Sequence, residues 1–132
     1  MTNLKKSVLI IDDDQDDSDL FCDAVRHVDT SVWCEQAYSV QDALDLFYNE
    51  YKPDYIFLDL NMPLLDGKRC ITELRKIDSL RGVPIIVYTT SKRALDIRET
   101  RALGASHFIT KPDTFTELCA EIIYVLETKW AA

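Results

Sequence analysis

A doubly wound α/β domain on a five-stranded parallel sheet is predicted by two observations. Short apolar runs alternate along the chain with segments of helical period, and most of these runs are apolar almost throughout. Strands buried on both faces read this way, because helices cover each side of a parallel sheet. A chain of 132 residues suits one such domain with a full core.

The first strand is predicted at Ser7–Ile11. Phe21, Ala24, Val25 and Val28 then fall at i, i+3, i+4 and i+7, one face of a helix. The strand Val32–Ala37 carries Glu35 and Gln36 and suits a sheet edge. A second helix is read from Leu44, Phe47, Tyr48 and Tyr51, with Ser39 as its N-cap and Asp42 three residues on. The strand Asp54–Leu58 leads through the loop Leu60–Gly67 to a third helix marked by Cys70, Leu74 and Ile77, with Asp66 as its candidate cap. The strand Val83–Tyr88 precedes a helix over Lys92–Leu103 whose apolar face (Leu95, Ile97, Ala102) is thin, so it should be the least firmly packed. After the strand Ser106–Thr110, the stripe Phe115, Leu118, Cys119, Ile122 and Leu126 marks the last helix, and Thr114 with Glu117 spells a capping box. The only glycines, Gly67, Gly82 and Gly104, stand at element boundaries, and Gly104 fits a helix C-cap.

Composition excludes several classes of function. Against 15 basic side chains stand 23 acidic ones, and the net charge of −8 opposes nucleic-acid or anionic-membrane binding through bulk charge. No stretch approaches the length of a membrane span, and Val8–Ile11 is too short for a signal peptide core. Cys22, Cys34, Cys70 and Cys119 form no C-x-x-C pair and read as buried free thiols in a reducing, cytoplasmic setting.

Chemistry concentrates at strand ends, where open α/β sheets place their ligands. Asp59 closes the run Tyr55-Ile56-Phe57-Leu58, and Asp12-Asp13 close Val8-Leu9-Ile10-Ile11. If those strands are parallel neighbours, three carboxylates converge. Two of them about 4 Å apart repel by roughly 4 kcal/mol at an effective dielectric near 20, so the cluster calls for a cation. An all-oxygen ligand set suits magnesium.

With Asp59-x-Asn61-Met62-Pro63-x-x-Asp66-Gly67, Thr89 and Lys111-Pro112 added to that acidic pair, essentially the whole chain resembles the receiver domain of two-component response regulators. The resemblance implies a flavodoxin-like sheet of order 2-1-3-4-5 and a stand-alone receiver spanning 1–132 without an effector domain. It implies a signalling switch, not a metabolic enzyme, with Asp59 accepting a phosphoryl group from a sensor histidine kinase or a histidine phosphotransfer protein. Magnesium would be held by Asp13, by Asp12 directly or through water, by Asp59, and by the main-chain carbonyl of Asn61. Thr89 and Lys111 would bind phosphoryl oxygens, with Lys111 aimed by a cis peptide to Pro112. Phe108 would turn inward as Thr89 is drawn to the phosphate. Asn61 and Ser91 would flank the attacking water and tune the phosphate lifetime. The face formed by 92–130 would be the output surface, suited to a downstream protein target or a second copy of the chain.

Competing readings remain at this stage. Asp12-x-Asp14 matches the nucleophile motif of haloacid dehalogenase-type phosphatases, but no acidic pair follows Lys111 and Asp59 would go unexplained. A receiver-like interaction module working without phosphate retains no need for so complete a set of site residues. An FMN carrier fails on the acidic turn Asp12–Asp17, where a phosphate-binding loop needs hydroxyls and glycine. Asp12 and Asp13, like Asp14, Asp16 or Asp17, would otherwise serve as helix caps. Thr90 offers a second hydroxyl beside Thr89, and His27, His107 and Trp130 carry no derived role.

Overall fold

A computed structural model describes residues 6–62 and 65–130, and of Leu65 and Asp66 the backbone alone. In chain order the elements are β1 (Ser7–Ile11), α1 (Gln15–Val28), β2 (Trp33–Ala37), α2 (Val40–Tyr48), β3 (Tyr55–Leu58), β4 (Asn61–Met62), β5 (Leu65–Asp66), α3 (Gly67–Arg75), β6 (Ile85–Thr89), α4 (Ala94–Leu103), β7 (His107–Thr110) and α5 (Phe115–Glu127), with a 3-10 turn at Asp78–Leu80. The main sheet is parallel, ordered β2-β1-β3-β6-β7. Counting only its own strands, that is the expected 2-1-3-4-5. β4 and β5 form a small antiparallel ladder within the segment that the sequence predicts as a loop.

Alternate strand residues feed two cores. Val8, Ile10, Phe57, Ile86 and Ile109 join Phe21, Val25, Leu118 and Ile122, so α1 and α5 cover one face. Leu9, Ile11, Ile56, Leu58, Ile85 and Val87 join Ala43, Cys70, Ile71 and Leu74 on the other, beneath α2 and α3. Fully burying each such side chain stabilises the fold by about 1.5–3 kcal/mol.

Capping expectations are met at three helices. Ser39 Oγ accepts from Asp42 N at 3.0 Å, and Thr114 Oγ1 from Glu117 N at 3.1 Å. Gly104 ends α4 at φ 116°, a left-handed conformation glycine adopts without strain. Gly67 is required for space, since a Cβ there would stand 2.6 Å from Leu60 Cα. The cap expected of Asp66 lies outside the described side chains.

Four expectations need correction. Phe47 and Tyr51 pack on the second core as expected of α2, but its stripe is completed by Val40, Ala43 and Leu46, and Tyr48 is 82% exposed. Helix α3 stops at Arg75, so Ile77 introduces the 3-10 turn instead of ending a helical stripe. The buried face of α4 is polar, made of Asp96 and Thr100, while Leu95 is exposed. Cys22 and Cys34 are disulfide-bonded with Cα atoms 5.6 Å apart, and only Cys70 and Cys119 are free buried thiols. The pairing arises because α1 packs beside β2, a tertiary neighbour relation that cysteine spacing does not encode.

Among the described residues no helix is long and apolar enough to cross a membrane.

Candidate functional site

The parallel registers set Ile11 beside Leu58 and Thr89 beside Thr110, so Asp12, Asp59, Thr89 and Lys111 emerge at one edge of the sheet. Main-chain bonds fix them there. Asp12 N donates to Ala37 O at 3.0 Å, Asp59 N to Ile11 O at 3.0 Å and Lys111 N to Thr89 O at 2.7 Å. One carboxylate oxygen from each of Asp12, Asp13 and Asp59 lies within 4.8 Å of the others. Asp12 and Asp59 are buried, whereas Asp13 is exposed at the mouth.

Two short turns hold the acids in place. Asp12 Oδ1 accepts from Asp14 N at 3.0 Å, and Asp59 Oδ1 accepts from Asn61 N at 3.1 Å. Asp14 is the true cap of α1, its side chain accepting from Asp17 N. That leaves Asp12 and Asp13 free of the capping role.

Lys111 is the positive centre of the pocket. Its Nζ stands 2.9 Å from Asp12 Oδ2, 2.8 Å from Asp17 Oδ2 and 3.6 Å from Asp59 Oδ2. It also lies 5.3 Å from the centre of the Tyr88 ring. Burial works to lower the Lys111 pKa, but hydrogen bonds to Asp17 and Asp12 and attraction to Asp59 outweigh it and raise the value. Burial raises the Asp12 pKa above its ordinary value, in spite of the Lys111 partner. Burial likewise pushes the Tyr88 hydroxyl up to about 12. The peptide between Lys111 and Pro112 is trans, correcting the expected cis bond. In this conformation two direct carboxylate bonds already aim the ammonium, and trans is the lower-energy isomer of an X-Pro bond.

On the other wall, Asn61 Nδ2 donates to Thr89 Oγ1 at 3.1 Å and to Thr90 Oγ1 at 3.0 Å. Thr89 is fully buried and Thr90 exposed, which resolves which threonine closes the strand facing inward. Phe108 is half-buried and packs against the second core. Ser91 is turned toward α4, its hydroxyl donating to Asp96 Oδ2 at 2.6 Å.

Sequence reasoning assigned neither Asp17 to Lys111 nor the Asn61 amide to the threonines. Asp17 carried one signal: Asp12–Asp17 holds more acids than a helix needs for capping.

Three carboxylates of this spread fit a small divalent ion, since oxygens on opposite sides of a magnesium site lie about 4.2 Å apart. Beside Asp59 the ammonium and hydroxyl donors suit a tetrahedral anion. A phosphatase nucleophile at Asp12 is disfavoured, because both of its carboxylate oxygens are already directly bonded, Oδ1 to the Asp14 amide and Oδ2 to Lys111 at 2.9 Å, whereas Asp59 Oδ2 stands 3.6 Å from that ammonium.

The sequence model of the response regulator receiver domain matches residues 8–123. Among solved structures, the phosphorylated cyanobacterial phytochrome response regulator RcpA has a TM-score of 0.84 at 22% identity, over 98% of this chain and 100% of that one. The manganese-bound response regulator Rcp1 has a TM-score of 0.80 at 22% identity, over 96% and 99% of the two chains. The chemotaxis response regulator CheY4 of Vibrio cholerae has a TM-score of 0.80 at 24% identity, over 92% and 99%. At these identities the structural likenesses show a shared fold.

Proposed function

Because the chain belongs to the response regulator receiver domain family, the phosphoacceptor signalling modules of two-component systems, we propose that its acceptor is Asp59. The observation that carries this reading is the position of Asp59: buried at a strand end, beside two further carboxylates and 3.6 Å from the Lys111 ammonium. Receiver domains take phosphate from histidine kinases or phosphotransfer proteins. In the transfer, an Asp59 carboxylate oxygen forms a bond to phosphorus as the phosphorus–nitrogen bond to the donor histidine breaks. The electron pair leaves on the imidazole.

Receivers bind a divalent metal at an acidic pocket. Here Asp12, Asp13, Asp59 and the Asn61 carbonyl would hold magnesium, which supplies charge neutralisation as the phosphoryl group approaches a carboxylate. Lys111 neutralises a second phosphoryl oxygen, and moving toward it loosens its bonds to Asp12 and Asp17. Thr89 turns its hydroxyl from Asn61 to a third. That rotation leaves room for Phe108 to move inward and signal to the surface 92–130. A protein target or a second copy of the chain would dock there, on a surface that mixes arginines (Arg93, Arg98 and Arg101) with acids (Glu117 and Glu121). Asn61 and Ser91 flank the approach of hydrolytic water. Self-phosphorylation and its reversal are the chemistry of the switch, with no metabolite turned over.

A cytoplasmic location would suit a histidine donor charged with ATP. The Cys22–Cys34 bond opposes that location, since disulfides are rare in reducing compartments.

The test is incubation with acetyl phosphate and magnesium. One phosphoryl group per chain is expected by intact mass, with Asp59→Asn abolishing it and Asp13→Ala reducing it strongly. Labelling that survives in Asp59→Asn and disappears in Asp12→Asn would hand the role to Asp12.

A further inference from the structure

Successive contacts join the edge strand β2 to α1 and to the turn before it. Ala37 O accepts from Asp12 N at 3.0 Å, Gln36 Nε2 donates to Asp19 Oδ1 at 2.8 Å, and Cys34 is bonded to Cys22. Cys34 and Gln36 share one face of the strand, and Asp19 and Cys22 stand one helical turn apart. The disulfide therefore fixes the register of α1 along the sheet, and with it the turn that carries Asp12 and Asp13. Its two sulfurs differ in access. Cys22 is 3% exposed, whereas Cys34 is half-buried and lines a groove of about 270 Å³ with Arg26, Thr30, Ser31, Val32 and Trp33. Arg26 brings positive charge to this groove on a chain of net −8, and its exposed pairing with Asp23 is weak. Cys70 and Cys119 are buried, and burial pushes the Cys70 thiol up to about 12, so exchange chemistry is confined to the groove.

We propose that Cys22 and Cys34 are a reversible redox site: a small peptide thiol bearing carboxylates enters the groove, opens the bond at Cys34 and thereby weakens the hold of the acid cluster on magnesium. This inference rests on the acceptor reading of Asp59, since a donor charged with ATP and a disulfide share a compartment when the bond is transient. The incoming thiolate forms a bond to Cys34 Sγ as the bond between the two protein sulfurs breaks. The electron pair leaves on Cys22 Sγ, which takes a proton from solvent. A second thiolate attacks the peptide sulfur of the mixed disulfide and releases Cys34 as thiolate. Two peptide thiols are oxidised to one disulfide, and the protein pair is reduced by two electrons. Carboxylates on the peptide suit the Arg26 guanidinium at the groove wall. Reduction removes the covalent tie and leaves the exposed Gln36–Asp19 hydrogen bond in its place. The turn holding Asp12 and Asp13 then gains freedom, and part of the magnesium binding energy is spent on ordering it.

The test equilibrates the full chain in glutathione buffers running from oxidised to reduced. Thiols are counted by alkylation in denaturant and intact mass, and urea midpoints report folding. The count should rise from the free pair Cys70 and Cys119 to all four cysteines within the cytosolic glutathione range, with the chain still folded. Magnesium affinity by calorimetry should fall about fivefold on reduction, the factor for ordering one side chain. Cys34→Ser should match the reduced parent in every buffer and take up no glutathione, whereas Cys22→Ala should take up one, on Cys34. A bond that stays closed until the chain unfolds overturns the proposal, as do equal magnesium affinities in the two redox forms or glutathione uptake by Cys34→Ser. The comparison of oxidised with reduced parent needs no substitution, so it decides the matter even where a variant folds poorly. Absence of acetyl phosphate labelling in both redox forms overturns the acceptor reading instead, and a redox-dependent magnesium affinity stands without it.

Discussion

Helix α1 presses Phe21, Cys22, Ala24 and Val25 against the sheet, and α5 adds Leu118, Cys119, Ile122 and Val125. Helix α4, at the far side of the same domain, fully buries only Asp96 and Thr100, half-buries Ile97 and leaves Leu95 41% exposed. One region is fastened by shape and apolar area, with a disulfide from α1 to β2 as a further tie. The other is fastened by directional contacts from Lys68 and Ser91 to Asp96. Apolar packing is lost only with large displacement, whereas a polar contact is exchanged for another over a few ångströms. The division suits the task. Asp12 and Asp17, which meet Lys111, stand just before and at the start of α1 and need a fixed frame. Thr89 and Ser91 lead into α4 and need an element that yields.

The largest expected effect tests the frame. Phe21 is fully buried and packs on Phe57 and Tyr88 with ring centres 4.7 and 5.3 Å away. Phe21→Ala should cost about 3–5 kcal/mol by urea denaturation. Leu95→Ala, on the outer side of α4, should cost at most about 0.5 kcal/mol. Comparable losses at the two positions would erase the distinction between the regions.

Why the frame could be read from sequence and α4 could not is visible in the residues themselves. Val8–Ile11 and Tyr55–Leu58 are buried on both faces, so a continuous apolar run reports their environment directly. Strand-end acids stand out because a carboxylate closing such a run has no packing reason to be there. Asp96 and Thr100 obey the same helical period as a core stripe, but the side-chain partners of Asp96 come from α3 and from the loop after β6, and Thr100 bonds carbonyls of its own helix. A search for apolar residues passes over them and selects Leu95, Ile97 and Ala102, of which Ile97 alone is half-buried. The Lys111–Asp17 pair spans 94 residues, and Cys22–Cys34 depends on which helix lies beside the edge strand. Both are consequences of topology, and local pattern carries no record of them.

A smaller effect sharpens the comparison in the activated state. With beryllofluoride and magnesium bound as a phosphate mimic, amide exchange in Ala94–Leu103 should change by about tenfold, a coupling near 1.4 kcal/mol. The interior amides of α1 and α5 should stay unchanged. Differences confined to Asp12, Asp59 and the segment 61–67 would show that the signal does not reach α4 and would remove it from the output face.

The smallest expected effect separates the regions by pH. His107 packs between Tyr124 and Trp130, with ring centres 5.2 and 5.7 Å away, and burial lowers its pKa from 6.5 in spite of Glu121. Its unfolded form therefore takes up a proton first. Stability from this site is complete above 6.5 and declines as the pH falls from there toward the lower folded value. Asp96 behaves as a paired acid: hydrogen bonds from Lys68 and then Ser91 lower its pKa from 3.8. Its contribution is present above 3.8 and is lost only as the pH falls through the still lower folded value. Urea midpoints measured from pH 8 down to about 2.5 should thus show two separate losses. His107→Phe should flatten the upper one, on the α5 side, and leave the lower. Asp96→Asn should do the reverse. If either substitution flattened both limbs, the two regions would be sharing one electrostatic network, and the contrast between an apolar frame and a polar hinge would fail.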